Sequence, residues 1–151
     1  MANSIATGNF TPIQVEYLYP TASSNFYMTH DSTTFYRKCP VHHVSGTSGF
    51  ISADTVLEQI TLQAGTYVFD IPIGCGDNTG WLDFKLVNQT DETTAFEITN
   101  TVHNIVADNI SFSSISSTIK IDSAKTFEYF IQADFATGTT YTGVIKITKI
   151  R

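Results

Sequence analysis

Apolar and polar positions alternate along most of the chain. Tyr67, Phe69 and Ile71 flank Val68 and Asp70, Leu82, Phe84 and Leu86 flank Asp83 and Lys85, and Phe127, Tyr129 and Ile131 flank Glu128 and Phe130. A period of two puts each trio on one face of a strand, and Phe130 breaks an otherwise polar face. β-Branched and aromatic types fill these runs, as a pleated, half-buried surface favours. The pattern predicts strands at 26–29, 34–38, 41–44, 56–62, 66–71, 82–88, 95–99, 110–114, 118–121, 126–133 and 141–150. Turn-forming clusters separate them: Gly46-Thr47-Ser48-Gly49, Gln63-Ala64-Gly65, Gly74 to Gly80, Thr90 to Thr94, Asp122-Ser123-Ala124 and Ala136-Thr137-Gly138. A turn roughly every 8–12 residues is the rhythm of a β-sandwich. The expected fold is all-β, a two-sheet antiparallel jelly-roll sandwich. Gly65, just before a core strand, is expected to supply a positive φ.

Residues 1–23 break that rhythm. Met1 to Thr11 is small and polar, and Pro12 and Pro20 fence the stretch Ile13-Gln14-Val15-Glu16-Tyr17-Leu18-Tyr19. Proline ends helices and disfavours central strands. The reading is an extended N-terminal arm, 1–23, ahead of a jelly-roll domain, 24–151. Phe10, Ile13, Val15, Tyr17, Leu18 and Tyr19 are its expected docking residues on a larger particle.

The chain's 151 residues suffice for one domain with one core. Hydrophobic content is 42% and charged content only 15%, so Ser, Thr and Asn carry the surface. Net charge is −6, and the 8 Lys and Arg residues are scattered. Nucleic acid and anionic membranes both want a basic stripe, so neither is an expected partner. No apolar run is long enough to span a bilayer, and Met1-Ala2-Asn3-Ser4 lacks a signal peptide's basic and apolar regions. Synthesis in a cytosol is expected, with Cys39 and Cys75 as buried free thiols. His42 and His43 are neighbours, and on a strand they would point to opposite faces and chelate one ion poorly. No nucleophile elbow, P-loop, zincin or dinucleotide motif occurs. The expectation is therefore no enzyme, no cofactor and no metal. Trp81 opens a strand after Gly80, where a structural role outweighs stacking on a sugar.

Three segments carry a family resemblance. Ile60-Thr61-Leu62-Gln63-Ala64-Gly65-Thr66-Tyr67 resembles the Leu-Pro-Ala-Gly-Thr-Tyr opening of phage tail-fibre tip domains. Asp83-Phe84-Lys85-Leu86-Val87-Asn88-Gln89-Thr90-Asp91 is similar to their following strand and turn. Thr118 to Tyr129, through Ala124-Lys125-Thr126-Phe127-Glu128, is similar to a third segment in order and spacing. The chain departs from these domains at Phe96-Glu97-Ile98-Thr99, where they carry a polar segment, so shared receptor specificity does not follow. Such domains resemble the tumour-necrosis-factor (TNF)/C1q jelly roll, which is usually a homotrimer. The resemblance implies that Tyr141, Ile145 and Ile147 of the last strand face a threefold axis, with Val68 on the same interface. Residue alternation alone would place Tyr141, Ile145 and Ile147 in the core. A tip domain usually ends a long fibrous shaft, whereas this sequence starts at Met1 with a short arm. The expected function is accordingly a bacteriophage virion structural protein: a trimeric capsid decoration (cement) protein docked on the major capsid protein or another virion protein. It would be located in the virion after assembly in the host cytoplasm. The alternative is a receptor-binding tip or short fibre protein that recognises a host-surface glycan.

Overall fold

The structure, a computed structural model, describes residues 13–22, 26–30, 36–46, 48–76, 80–102, 110–133 and 138–150. Among these residues the regular elements are all strands: β1 (Gln14–Tyr19), β2 (Phe26–His30), β3 (Arg37–Lys38), β4 (His43–Gly46), β5 (Ile51–Asp54), β6 (Gln59–Leu62), β7 (Gly65–Gly76), β8 (Gly80–Asn88), β9 (Thr93–Val102), β10 (Ile110–Ile121), β11 (Lys125–Ala133), β12 (Gly138–Thr142) and β13 (Ile145–Lys149). They form two antiparallel sheets. The seven-stranded one runs β2-β12-β7-β13-β1-β4, with β10 on the other edge of β7. The six-stranded one runs β5-β6-β11-β8-β9, with β3 also on β11.

The long strand β7 organises the first sheet. β10 pairs with its full length, from Gly65 opposite Ile121 to Gly76 opposite Ile110. Its other edge is shared. β13 takes Tyr67 to Asp70 and β12 takes Ile73 to Gly76, and the register slips by one residue between them. Pro72 lies at that break. It has no N–H to give a ladder, while its carbonyl accepts from the Gly143 N–H and the Thr142 hydroxyl. The expected strand 141–150 is therefore two strands, and the expected pair 110–114 and 118–121 is one.

The core is what the alternation requires. Tyr67, Phe69, Ile71 and Ile73 of β7 point inward at 1% exposure or less, as do Phe84 and Leu86 of β8 and Phe127, Tyr129 and Ile131 of β11. Phe84 stacks on Phe96 and Tyr129 at 5.9 and 5.8 Å, and Phe69 meets the edge of Phe96 at 5.5 Å. Buried phenols need acceptors. The Tyr67 hydroxyl donates to the Gln63 carbonyl at 2.6 Å, and Tyr129 to the Pro40 carbonyl.

The expectation of a docking arm is corrected between residues 13 and 22. The stretch up to Pro20 is strand β1, held between β13 (Leu18 opposite Ile145) and β4 (Leu18 opposite Val44). Leu18 is 1% exposed and belongs to the core, so it is not available for docking. Pro20 follows the strand's last residue, where no ladder bond is lost. The sandwich thus includes Gln14–Tyr19, not just 24–151. Val15 and Tyr19 are half-buried, Tyr17 and Ile13 are exposed, and Phe10 lies outside the described residues. Gly65 is also corrected: positive φ values fall instead on Gly46, Gly49, Glu58 and Glu92.

Candidate assembly interface

The outer face of the seven-stranded sheet follows from its register. One row across four strands is Val15, Thr148, Val68 and Thr118. The next is Ser45, Tyr17, Lys146, Asp70 and Ser116. Tyr17 is 41% exposed, and the half-buried Val15 and Val68 sit beside hydroxyl residues. Among the described residues the face holds the ion pair Lys146 to Asp70 at 3.5 Å, half in solvent and worth at most about 1 kcal/mol, and at the end of β10 the fully solvated pair Lys120 to Asp122 at 3.7 Å. Such a face, part apolar and part hydroxyl with its charges mutually neutralised, is cheap to desolvate against another protein surface.

The expected threefold-axis residues divide. Val68 is on this outer face. Ile145 and Ile147 are not: they are 1% and 0% exposed within the single chain. Ile145 lies beside Leu18, and Ile147 between Glu16 and Phe69, all on the inner face. Alternation along β13 leaves Lys146 and Thr148 outside, so the residue pattern was the better guide here than the resemblance. The Tyr141 side chain lies outside the described residues.

The six-stranded sheet has a more polar outer face. The Glu128 carboxylate accepts from Lys38 at 2.7 Å and Gln59 at 2.8 Å on one oxygen, and from Gln89 at 2.9 Å on the other. Beside it a shallow depression of about 130 Å³ is lined by Tyr36, Lys85, Val87 and Phe130. The Lys85 ammonium sits 5.0 Å from the Tyr36 ring centre and 3.8 Å from Glu97. The Tyr36 hydroxyl is within reach of both Glu97 and Asp83, although its one proton serves one carboxylate at a time. Burial first, then the bond to Glu97, pushes this phenol well above its ordinary value. The second Asp83 oxygen is buried without a partner. Sequence reasoning flagged Phe130 as out of place and missed Tyr36, whose role depends on pairing across 47 to 61 residues.

Among the described residues, two adjacent and strongly exposed apolar side chains stand elsewhere. Val56 and Leu57, 88% and 55% exposed, cap the β5–β6 hairpin. Both their N–H groups donate to Asp54 Oδ1, at 2.9 and 2.8 Å, so this apolar tip is held in shape. The sequence reading had put them in a strand.

The fold neighbours fit this two-sheet layout. The chain superposes on Eiger TNF from S. frugiperda with a TM-score of 0.51, 12% identity, and coverage of 93% of this chain and 94% of that one. Murine APRIL at pH 5.0 gives 0.56 and 14%, covering 92% of this chain and all of that one. The fold is a TNF-like jelly roll. At such identities the likeness speaks for the fold alone. No protein-family model matches the sequence, and no curated protein matches it either.

In this TNF-like sandwich, no group of three or more metal-ligating side chains converges among the described residues. Cys39 is a buried free thiol, pushed far above its ordinary value first by burial and then by the charge of Glu58. The side chain of Cys75 lies outside the described residues. The two adjacent histidines do not behave as expected. His42 precedes β4, so strand alternation does not separate them. Their Nδ1 atoms lie 2.9 Å apart, with the rings at 79°. His43 also stacks on Tyr19, centroid to centroid 4.1 Å.

Proposed function

We propose that this chain is a structural protein of a bacteriophage virion that assembles as a homotrimer and decorates the capsid, docking on the coat lattice and stabilising the head. The observation that carries the reading is the conjunction of a TNF-like jelly roll with three segments resembling phage tail-fibre tip domains, in order along the chain. The part-apolar outer face of the seven-stranded sheet supports self-association, with Val15, Tyr17 and Val68 in the contact. Three copies on one particle multiply a weak docking contact through effective concentration. With β1 built into the sheet, the rigid Val56–Leu57 tip takes over the docking role first given to an arm.

Two measurements test this. Wild-type protein is expected to sediment as a trimer at micromolar concentration, and Val68→Asp as a folded monomer, because a carboxylate on that face is unpaired when a second copy covers it. A monomeric wild type, or an unaltered Val68→Asp trimer, overturns the interface. Antibodies against the chain should label phage heads. Labelling of tail tips instead favours the second reading, a receptor-binding tip. That reading is supported by the Tyr36–Phe130 depression, which offers aromatic surface beside carboxylates suited to a glycan's hydroxyls. Absence of label from virions overturns both.

A further inference from the structure

We propose that His42 and His43 form a bidentate surface site for a late first-row divalent metal ion, copper(II) by preference. Three observations carry it. The first is the spacing. Two metal–nitrogen bonds of about 2.05 Å meeting at a right angle span about 2.9 Å, and the two Nδ1 atoms are 2.9 Å apart. A tetrahedral angle would need about 3.3 Å. The pair therefore suits two adjacent corners of a square-planar or tetragonal ion, the geometry of copper(II) and nickel(II) with nitrogen ligands. Copper(II) also stands highest in the affinity order for such ligands.

The second is preorganisation. The Tyr19 ring lies 4.1 Å from that of His43 at an interplanar angle of 12°, which limits the rotation of that imidazole. Tyr19 and His43 are also ladder partners, and the His42 N–H donates to the Tyr19 carbonyl at 2.9 Å. The backbone of both histidines and the ring of His43 are thus held against one residue of β1, so the ordering that remains on binding is the turn that aims each ring's lone pair. The third is access. Both rings are exposed at the β4 edge of the sheet, so water completes the remaining coordination positions. Entry of the ion requires the ring that donates through Nδ1 to take its other tautomer, its proton moving by way of water to its own Nε2, so that both Nδ1 lone pairs are free. Each ring then turns its lone pair toward an ion lying off the line between the nitrogens. The site lies at the β4 edge of the same outer face as Tyr17 and Ser45, and it does not depend on any virion role.

The test is a titration of the full chain with copper(II) sulfate, followed by electron paramagnetic resonance and by competition with glycine. One ion per chain with hyperfine structure from two equivalent-type nitrogens is expected. His42→Ala and His43→Ala should each weaken binding more than about tenfold, the loss that removal of even an outer-shell partner brings, and leave one coupled nitrogen. The double variant His30→Ala/His103→Ala should retain the two-nitrogen signal. Full affinity in either His42→Ala or His43→Ala, or a signal that disappears with His30 and His103 instead, overturns the site.

Discussion

Gly46 lies where β4 passes closest to Glu16. A Cβ on that glycine would sit 2.5 Å from the Glu16 Cγ and 3.1 Å from the Val15 carbonyl oxygen. Gly46→Ala is therefore expected to lose about 1–3 kcal/mol through overpacking, read as a lower urea midpoint. Part of the loss should return in the Glu16→Ala background, because the two residues share one contact. Glu16 itself is 2% exposed with one carboxylate oxygen unpartnered, an unusual cost on the inner face of a sheet. Its charge, after burial, helps to push the Tyr67 phenol up to about 12. Cys39 invites a second measurement. Completely buried and with its thiolate strongly disfavoured, it should resist thiol reagents in the native protein. In a Cys75→Ser background, labelling should appear only as the chain unfolds, and rapid labelling of folded protein would contradict the packing described. The alternation of Tyr67, Phe69, Phe84, Phe127 and Tyr129 made these core positions legible in advance. The Gly46–Glu16 contact was not, because it depends on which strand β4 lies beside.

Turns between strands carry much of the remaining order. In the β8–β9 turn, Asn88 Oδ1 accepts from the N–H groups of Thr90 and Asp91, while its amide donates to Asp91. Lys125, at the start of β11, reaches Asp91 at 2.7 Å. The hydrogen bond from Lys125, with its charge and the Asn88 amide behind it, holds the Asp91 carboxyl below the usual carboxylate range. A carboxyl lowered in the folded state adds stability above its unfolded pKa, near 4, and loses it as pH falls through the folded value. Asp91→Asn should therefore flatten the acid limb of the stability profile below about pH 4 and change little at pH 7 to 9 in the slope. An acid limb identical to wild type would count against the pair. Element boundaries were the least legible part of the sequence. Glu58 and Glu92 occupy positive φ at 52° and 55° in two hairpin turns, where composition gave no glycine to mark them. The stretch 56–62 therefore looked like one strand. Likewise Pro20 read as the fence of a loose arm, although it merely stops β1 after Tyr19.

At the scale of the molecule, sheet membership decides what each alternating pattern means. Both faces of β13 were visible in the sequence, but which one meets the other sheet became clear only with β1 and β7 beside it. Ile147→Asp should therefore fail to fold, as an unpaired carboxylate in the core costs several kcal/mol, whereas Val68→Asp should fold and remain monomeric. Solubility and circular dichroism distinguish the two. The same arrangement has a consequence for how the protein is made. β1 has its long ladder with β13, from Gln14 opposite Lys149 to Leu18 opposite Ile145, so the two partners are made far apart in time. A chain emerging from the ribosome can pair β1 with β4 early, but the slot between β1 and β7 stays open until residues 145–149 are free. Two strand edges thus wait, unpaired, while everything between β7 and β13 is made. Non-local closure of this kind folds slowly and leaves partly made chains prone to stick to one another. Closure of the sandwich therefore waits until residues 145–149 have left the ribosome, and nascent chains crowded on one message depend on chaperones to keep those edges apart.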